Sequence, residues 1–104
     1  MGPTYGYVGT IESETYQTDR LWFSLRSAAV GGEWVKIGAN RAWFTMNMET
    51  SARPSHMAQL TLVLEAMRSG LHVRVSHGAL TNIDTSRDSY EVDGLRIVRS
   101  DLTF

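Results

Sequence analysis

From Leu21 to Arg26 apolar residues take every second place, with Leu21, Phe23 and Leu25 set against Trp22, Ser24 and Arg26. That is the period of a strand with one face turned to a core. The same period runs through Trp34–Ile37, where Val35 and Ile37 oppose Trp34 and Lys36. It runs again through Ala42–Met48, where Phe44, Met46 and Met48 oppose Trp43, Thr45 and Asn47. Gly31-Gly32 and Gly38-Ala39-Asn40 separate these segments as turns. Upstream, Tyr5–Ser13 is rich in aromatic and β-branched residues and is interrupted by Gly6 and Gly9, which predicts a long first strand bent or bulged at the glycines.

Between Ser51 and Ser69 the period lengthens. Met57, Leu60, Leu64 and Met67 recur at helical spacing with Val63 beside them, which predicts one amphipathic helix with that stripe buried. Pro54 suits the first turn, Ser51 or Ser55 the N-cap, and Gly70 a left-handed C-terminal cap. Leu71–Ser76 is strand once more, with Leu71, Val73 and Val75 opposing His72, Arg74 and Ser76. Asn82–Asp88 reads as a polar connection, and Tyr90–Val98 as a last strand region with a turn at Asp93-Gly94. The resulting order is that of an all-β, OB-fold-like barrel of five strands with its helix between strands 3 and 4. An added strand at Ala42–Met48 would make it six-stranded, and a helix-on-sheet α+β roll shares the same order.

Composition narrows the function classes. At 104 residues, 42% hydrophobic and 20% charged, the chain is of a size for one domain over 1–104, with neither a disordered tract nor a second core. Its apolar runs fall well short of the roughly 18 residues of a spanning helix. Ten basic and eleven acidic residues leave a formal charge of -1, unlike a protein that binds nucleic acid through bulk charge alone. The basic residues are arginines apart from Lys36, and there is no cysteine, hence no disulfide or thiolate metal site. The opening MGPTYGYVGT has neither the basic nor the apolar region of an export signal, so the expected location is cytoplasmic, or secreted if a leader has been removed.

The segment Met57–His77, MAQLTLVLEAMRSGLHVRVSH, resembles the helix and following strand of the B subunits of pertussis-like and subtilase-type bacterial toxins. The matching positions are Ser69, Gly70, Val73, Arg74 and Val75, with a weaker similarity at Gly9-Thr10-Ile11 and Leu21-Trp22-Phe23. The resemblance covers about a third of the chain. It implies an OB-fold, assembly into a homo-oligomer such as a pentamer, and glycan binding without catalysis, with a glycan or an A-subunit-like protein as partner. Those subunits carry an intrachain disulfide that this chain lacks, and no sugar-binding residue carries over.

With Leu21, Phe23, Leu25, Val35, Ile37, Phe44 and Met46 inside, Trp22, Trp34 and Trp43 point outward beside Arg26, Lys36 and Arg41. The opposite phase would bury Arg26 and Lys36 unpaired, at several kcal/mol each. Such a patch needs cover. Three uses are open: a subunit interface or the chain's own loops, stacking on bases of a single-stranded nucleic acid, or stacking on a sugar. With Arg74 these six residues form the candidate ligand- or interface-binding set. His72 and Ser76 share a face and His77 lies on the other, so a two-histidine metal site would need His56 or Asp84 brought in from elsewhere, and His72, Arg74 and His77 read as solvated strand positions. Glu12 and Glu14 read as a solvated strand end, Glu65 and Arg68 as a surface ion pair, and Met46, Met48, Met57 and Met67 as core filler. No nucleophile elbow, phosphate loop or metalloprotease helix occurs. The expectation is a binding and assembly module without a cofactor, and not an enzyme.

Overall fold

The computed structural model describes residues 3–14, 19–48, 53–81, 83 and 86–98. In chain order the elements are β1 (Thr4–Glu14), β2 (Arg20–Arg26), β3 (Lys36–Ile37), β4 (Asn40–Asn47), α1 (Arg53–Ser69), β5 (His72–Thr81) and β6 (Asp88–Ile97). β1 pairs antiparallel with both β2 and β5, β2 with β4, and β5 with β6. A parallel pairing of β4 with β6, Ala42 opposite Asp88 through Thr45 opposite Glu91, closes the ring. The result is a closed five-stranded β-barrel, β1-β2-β4-β6-β5, with β3 as an extra strand and the helix between the third and fourth ring strands. A roll with open sheet edges is thereby excluded.

The third ring strand is Asn40–Asn47, not Trp34–Ile37. Only Lys36 and Ile37 of the latter join a ladder, as one arm of a hairpin whose turn is Gly38-Ala39. Glycine turns on both sides leave that arm too short to span two neighbours, whereas the eight residues of β4 reach β2 on one side and β6 on the other.

β1 serves two partners in succession. Thr4–Tyr7 pairs with β5 and Tyr7–Glu14 with β2, so the strand must coil across a corner of the barrel. Gly6 sits at that crossing, where a Cβ would lie 2.8 Å from Leu25 Cβ and 2.9 Å from the Arg26 carbonyl oxygen. The register then shifts between Val8 and Thr10, so the bulge expected at the glycines falls on Gly9.

Inside, Leu21, Phe23, Leu25, Phe44 and Met46 are buried as their alternation requires, joined by Val73, Val75, Tyr90 and Val92 from the far side of the ring. His77 corrects the reading of a solvated face on β5. It points inward, between the rings of Phe44 and Tyr90 at 5.4 and 5.2 Å, on the side opposite His72. Its Nδ1 donates to the Gly78 carbonyl at 2.8 Å, and its Nε2 lies 2.8 Å from the Thr4 hydroxyl, so both ring nitrogens are satisfied and the residue is structural. Asp93-Gly94 is not a turn either. β6 runs straight through it, taking up a register shift against Ser76 and His77.

The helix forms where expected but is rotated. Val63 and Ala66 enter the core and Leu60 lies against it, while Met57, Leu64 and Met67 are 50, 50 and 44% exposed. The buried stripe is displaced by about 100°, one residue's turn, from the one the large apolar residues mark. Small side chains at Val63 and Ala66 let the helix approach β1 and β6 closely, which is a packing gain that hydropathy does not register. Met46 and Met48 are core filler, whereas Met57 and Met67 are not. Pro54 lies in the first turn, Ser55 stands inside the helix and so is not its cap, and the alternative cap, Ser51, lies outside the described residues. At the other end Gly70 has φ +63° and Leu71 N–H bonds the Ala66 carbonyl at 2.9 Å, a Schellman closure.

Gly70→Ala is expected to lower unfolding stability by about 1–2 kcal/mol, since the space is open and only the left-handed backbone is strained. Gly78→Ala, with open space and no positive φ, should stay within about 0.5 kcal/mol in the same urea titration.

Candidate functional site

The outer face of β2 and β4 carries Trp22, Ser24 and Arg26 beside Arg41, Trp43 and Thr45, with Thr10 and Glu12 adjoining from β1. Pleating alone puts these side chains on one surface, because their inward neighbours are the core residues just described. Trp34 joins them through an isolated bridge to Arg26, and Arg87 arrives from the connection that precedes β6.

These residues interleave. The Arg26 guanidinium carbon lies 3.9 Å from the Trp34 ring centre and that of Arg41 3.5 Å from the same centre. Two guanidinium groups that near one centroid would overlap if they shared a face, so Trp34 is clamped between them. Arg41 also lies 4.1 Å from Trp43, and Arg87 bridges Trp43 and Trp22 at 4.6 Å from each. The series runs Arg26, Trp34, Arg41, Trp43, Arg87, Trp22, with cation and indole alternating.

Polar contacts fix the cations in place. Arg26 donates to the Gly32 carbonyl at 2.8 Å, and Arg41 donates to the hydroxyls of Ser24 at 2.7 Å and Thr10 at 3.3 Å. Arg87 pairs with Glu12 at 3.1 Å, which removes Glu12 from any carboxylate pair. Flanking the stack, Arg20 pairs with Glu91 at 2.8 Å and donates to Thr45 at 3.3 Å. Burial pushes the Arg41 guanidinium below the ordinary arginine range; Glu12 opposes that shift, and Arg26 and Arg87 reinforce it. Gly9 is part of the same construction, because a Cβ there would stand 2.8 Å from the Trp34 ring and 2.9 Å from Arg26 Cγ. The bulge in β1 is where the indole lies.

The candidate set therefore divides. Trp22, Arg26, Trp34, Arg41 and Trp43 are brought together, and Trp22, at 2% exposure, is not an open surface awaiting a partner. Lys36 stands opposite Arg41 in the β3–β4 hairpin and remains exposed. Arg74 is elsewhere, on the outer face of β5, with Tyr5 opposite it on one side and Arg96 on the other. Arg87 escaped the reading of the pattern because it lies in a polar connection with no periodicity. Tyr5 and Tyr7 escaped as site residues because they read as strand formers; their rings lie 5.9 and 4.8 Å from that of His72, the latter pair stacked.

Among the described residues no group of three or more His, Asp or Glu side chains could hold a metal ion. No helix there is long and apolar enough to cross a membrane. Glu65 and Arg68 do form the expected surface pair, which, with Ser69, draws the Glu65 carboxyl below its usual value. Comparison of the chain with protein-family models, curated proteins and solved structures finds no match.

Arg41→Ala removes two indole contacts and two hydrogen bonds at once, and is expected to lower stability by about 2–3 kcal/mol. Lys36→Ala should change it by less than about 0.5 kcal/mol. Urea unfolding followed by far-UV circular dichroism measures both.

Proposed function

We propose that the chain is a non-catalytic binding module that assembles with copies of itself, and that the contact is the outer face of α1. The observation that carries this is the exposed stripe Met57, Leu64 and Met67. A soluble domain gains little from large apolar side chains on the outward face of a helix whose inward face is already filled. The stripe is bordered by Glu65 and Arg68, already paired with each other, so no net charge repels a second copy, and Thr61, Leu64 and Met67 line a shallow groove there. The closed barrel with one helix agrees with the fold that the resemblance to toxin B subunits implies, and a ring of copies, five in those subunits, would gather such helices about a common axis. The tryptophan face offers weaker support for assembly or for sugar stacking, since Trp22 is buried and both faces of Trp34 are taken.

A second reading has its own observation. Asn40, Arg41, Trp43, Ser86, Arg87 and Asp88 line a depression beside the β5–β6 connection, the side on which OB barrels engage oligonucleotides. It predicts that a labelled oligothymidylate binds at low salt and dissociates as salt rises. A flat anisotropy titration removes it.

For assembly, light scattering across a concentration series is expected to show a mass several times that of one chain. Leu64→Glu combined with Met67→Glu should reduce it to a single chain without changing the circular dichroism spectrum. A wild-type mass of one chain at every concentration overturns the reading.

A further inference from the structure

Among the described arginines, Arg74 and Arg96 make neither an ion pair nor a hydrogen bond through their side chains. Arg74 and Arg96 stand directly opposite each other on β5 and β6. Like charges at directly opposed positions of an antiparallel pair are destabilising. Among the described residues no carboxylate lies within ion-pair distance of either, and Asp93, the nearest acid along β6, is exposed and pairs with neither. The Nε of Arg74 is shielded from solvent and has no hydrogen-bond partner. Arg41 also has a shielded Nε without a partner, but Arg20, Arg26, Arg41 and Arg87 are each held through their other nitrogens by a carboxylate, a hydroxyl or a backbone carbonyl, and Arg74 is not.

Between Arg74 and Arg96 lies a hollow of about 200 Å³, lined also by Ser76, Gly94 and Leu95. Gly94 stands opposite Ser76 and leaves the floor open, because no atom nearer than 3.9 Å occupies the place of its Cβ. Beside Arg74 stands Tyr5, 48% exposed, with its ring next to that of His72. Two guanidinium forks, a hydroxyl, a bare floor and an aromatic edge are the parts of a site for a tetrahedral oxyanion borne on an organic group.

We propose that this hollow binds a phosphate or sulfate ester, its oxyanion held between Arg74 and Arg96 with the Ser76 hydroxyl, and its organic part laid against Tyr5 and His72. The site is independent of both the helix face and the tryptophan stack. No bond is made or broken there.

The test is titration calorimetry in low-salt buffer with inorganic phosphate, sulfate, phenyl phosphate and phenyl sulfate. Binding of all four assigns an oxyanion site, tighter binding of the phenyl esters assigns Tyr5 and His72 their part, and the order of phosphate and sulfate tells which ester the site prefers. Arg96 is exposed, so Arg96→Gln should fold normally and weaken binding by about tenfold or more, the loss of a charge-assisted hydrogen bond. Gly94→Val fills the floor while leaving every charge in place, and should weaken binding at least as much. Lys36→Gln, outside the hollow, should not alter it. The proposal is overturned if none of the four anions binds the wild-type protein, if Gly94→Val binds as well as wild type, or if Lys36→Gln weakens binding as much as Arg96→Gln.

Discussion

The parallel pairing of β4 with β6 is the constraint from which the rest follows. It brings together two strands separated in sequence by the helix and β5, and it turns a row of antiparallel partners into a closed ring. Closure gives every ring strand a partner on each side, and it gives every ring residue an inside or an outside. Once Phe23, Phe44 and Met46 are inside, Trp22, Arg26, Arg41 and Trp43 have to be outside. Large indoles on the outside of a small barrel must then be covered, and the chain covers them with its own guanidinium groups. Arg87, delivered to the start of β6 by the same closing pair, supplies the contact that bridges Trp22 and Trp43.

Much of the barrel was legible because strand period is short and unambiguous. Alternation along Leu21–Arg26 and Ala42–Met48 assigns inward and outward residues correctly, and Gly9 marks its bulge. What alternation does not contain is pairing. Nothing local to Trp34–Ile37 says that it is a side arm, or that Ala42–Met48 has neighbours on both sides. The helix shows a different failure. Its period is plain but its phase is not, because residue size and residue hydropathy favour different faces, and close approach favours Val63 and Ala66 over Leu64 and Met67. The site was legible in part: the tryptophans and Arg26 and Arg41 share a face, as read, but the partner that completes the stack lies in a segment without pattern.

The arginines fall into two populations that composition cannot separate. Those on β2, on β4 and before β6 are structural, each tied to an indole, a carboxylate, a hydroxyl or a carbonyl. Arg74 and Arg96 are tied to none among the described residues, and they face the same way. A near-neutral chain can therefore present a locally cationic surface, since Glu12, Glu65 and Glu91 are engaged with other arginines. Recognition by such a surface rests on placement and not on net charge.

All three tryptophans stand in one stack against arginine, on one side of the barrel. Excitation of the indoles therefore samples a single neighbourhood: the outer faces of β2 and β4, the hairpin and the residue before β6. Light emitted by this protein is a local reporter, sensitive to loosening of the stack and indifferent to events on the helix or around Arg74. An unchanged emission spectrum would be no sign that nothing had bound.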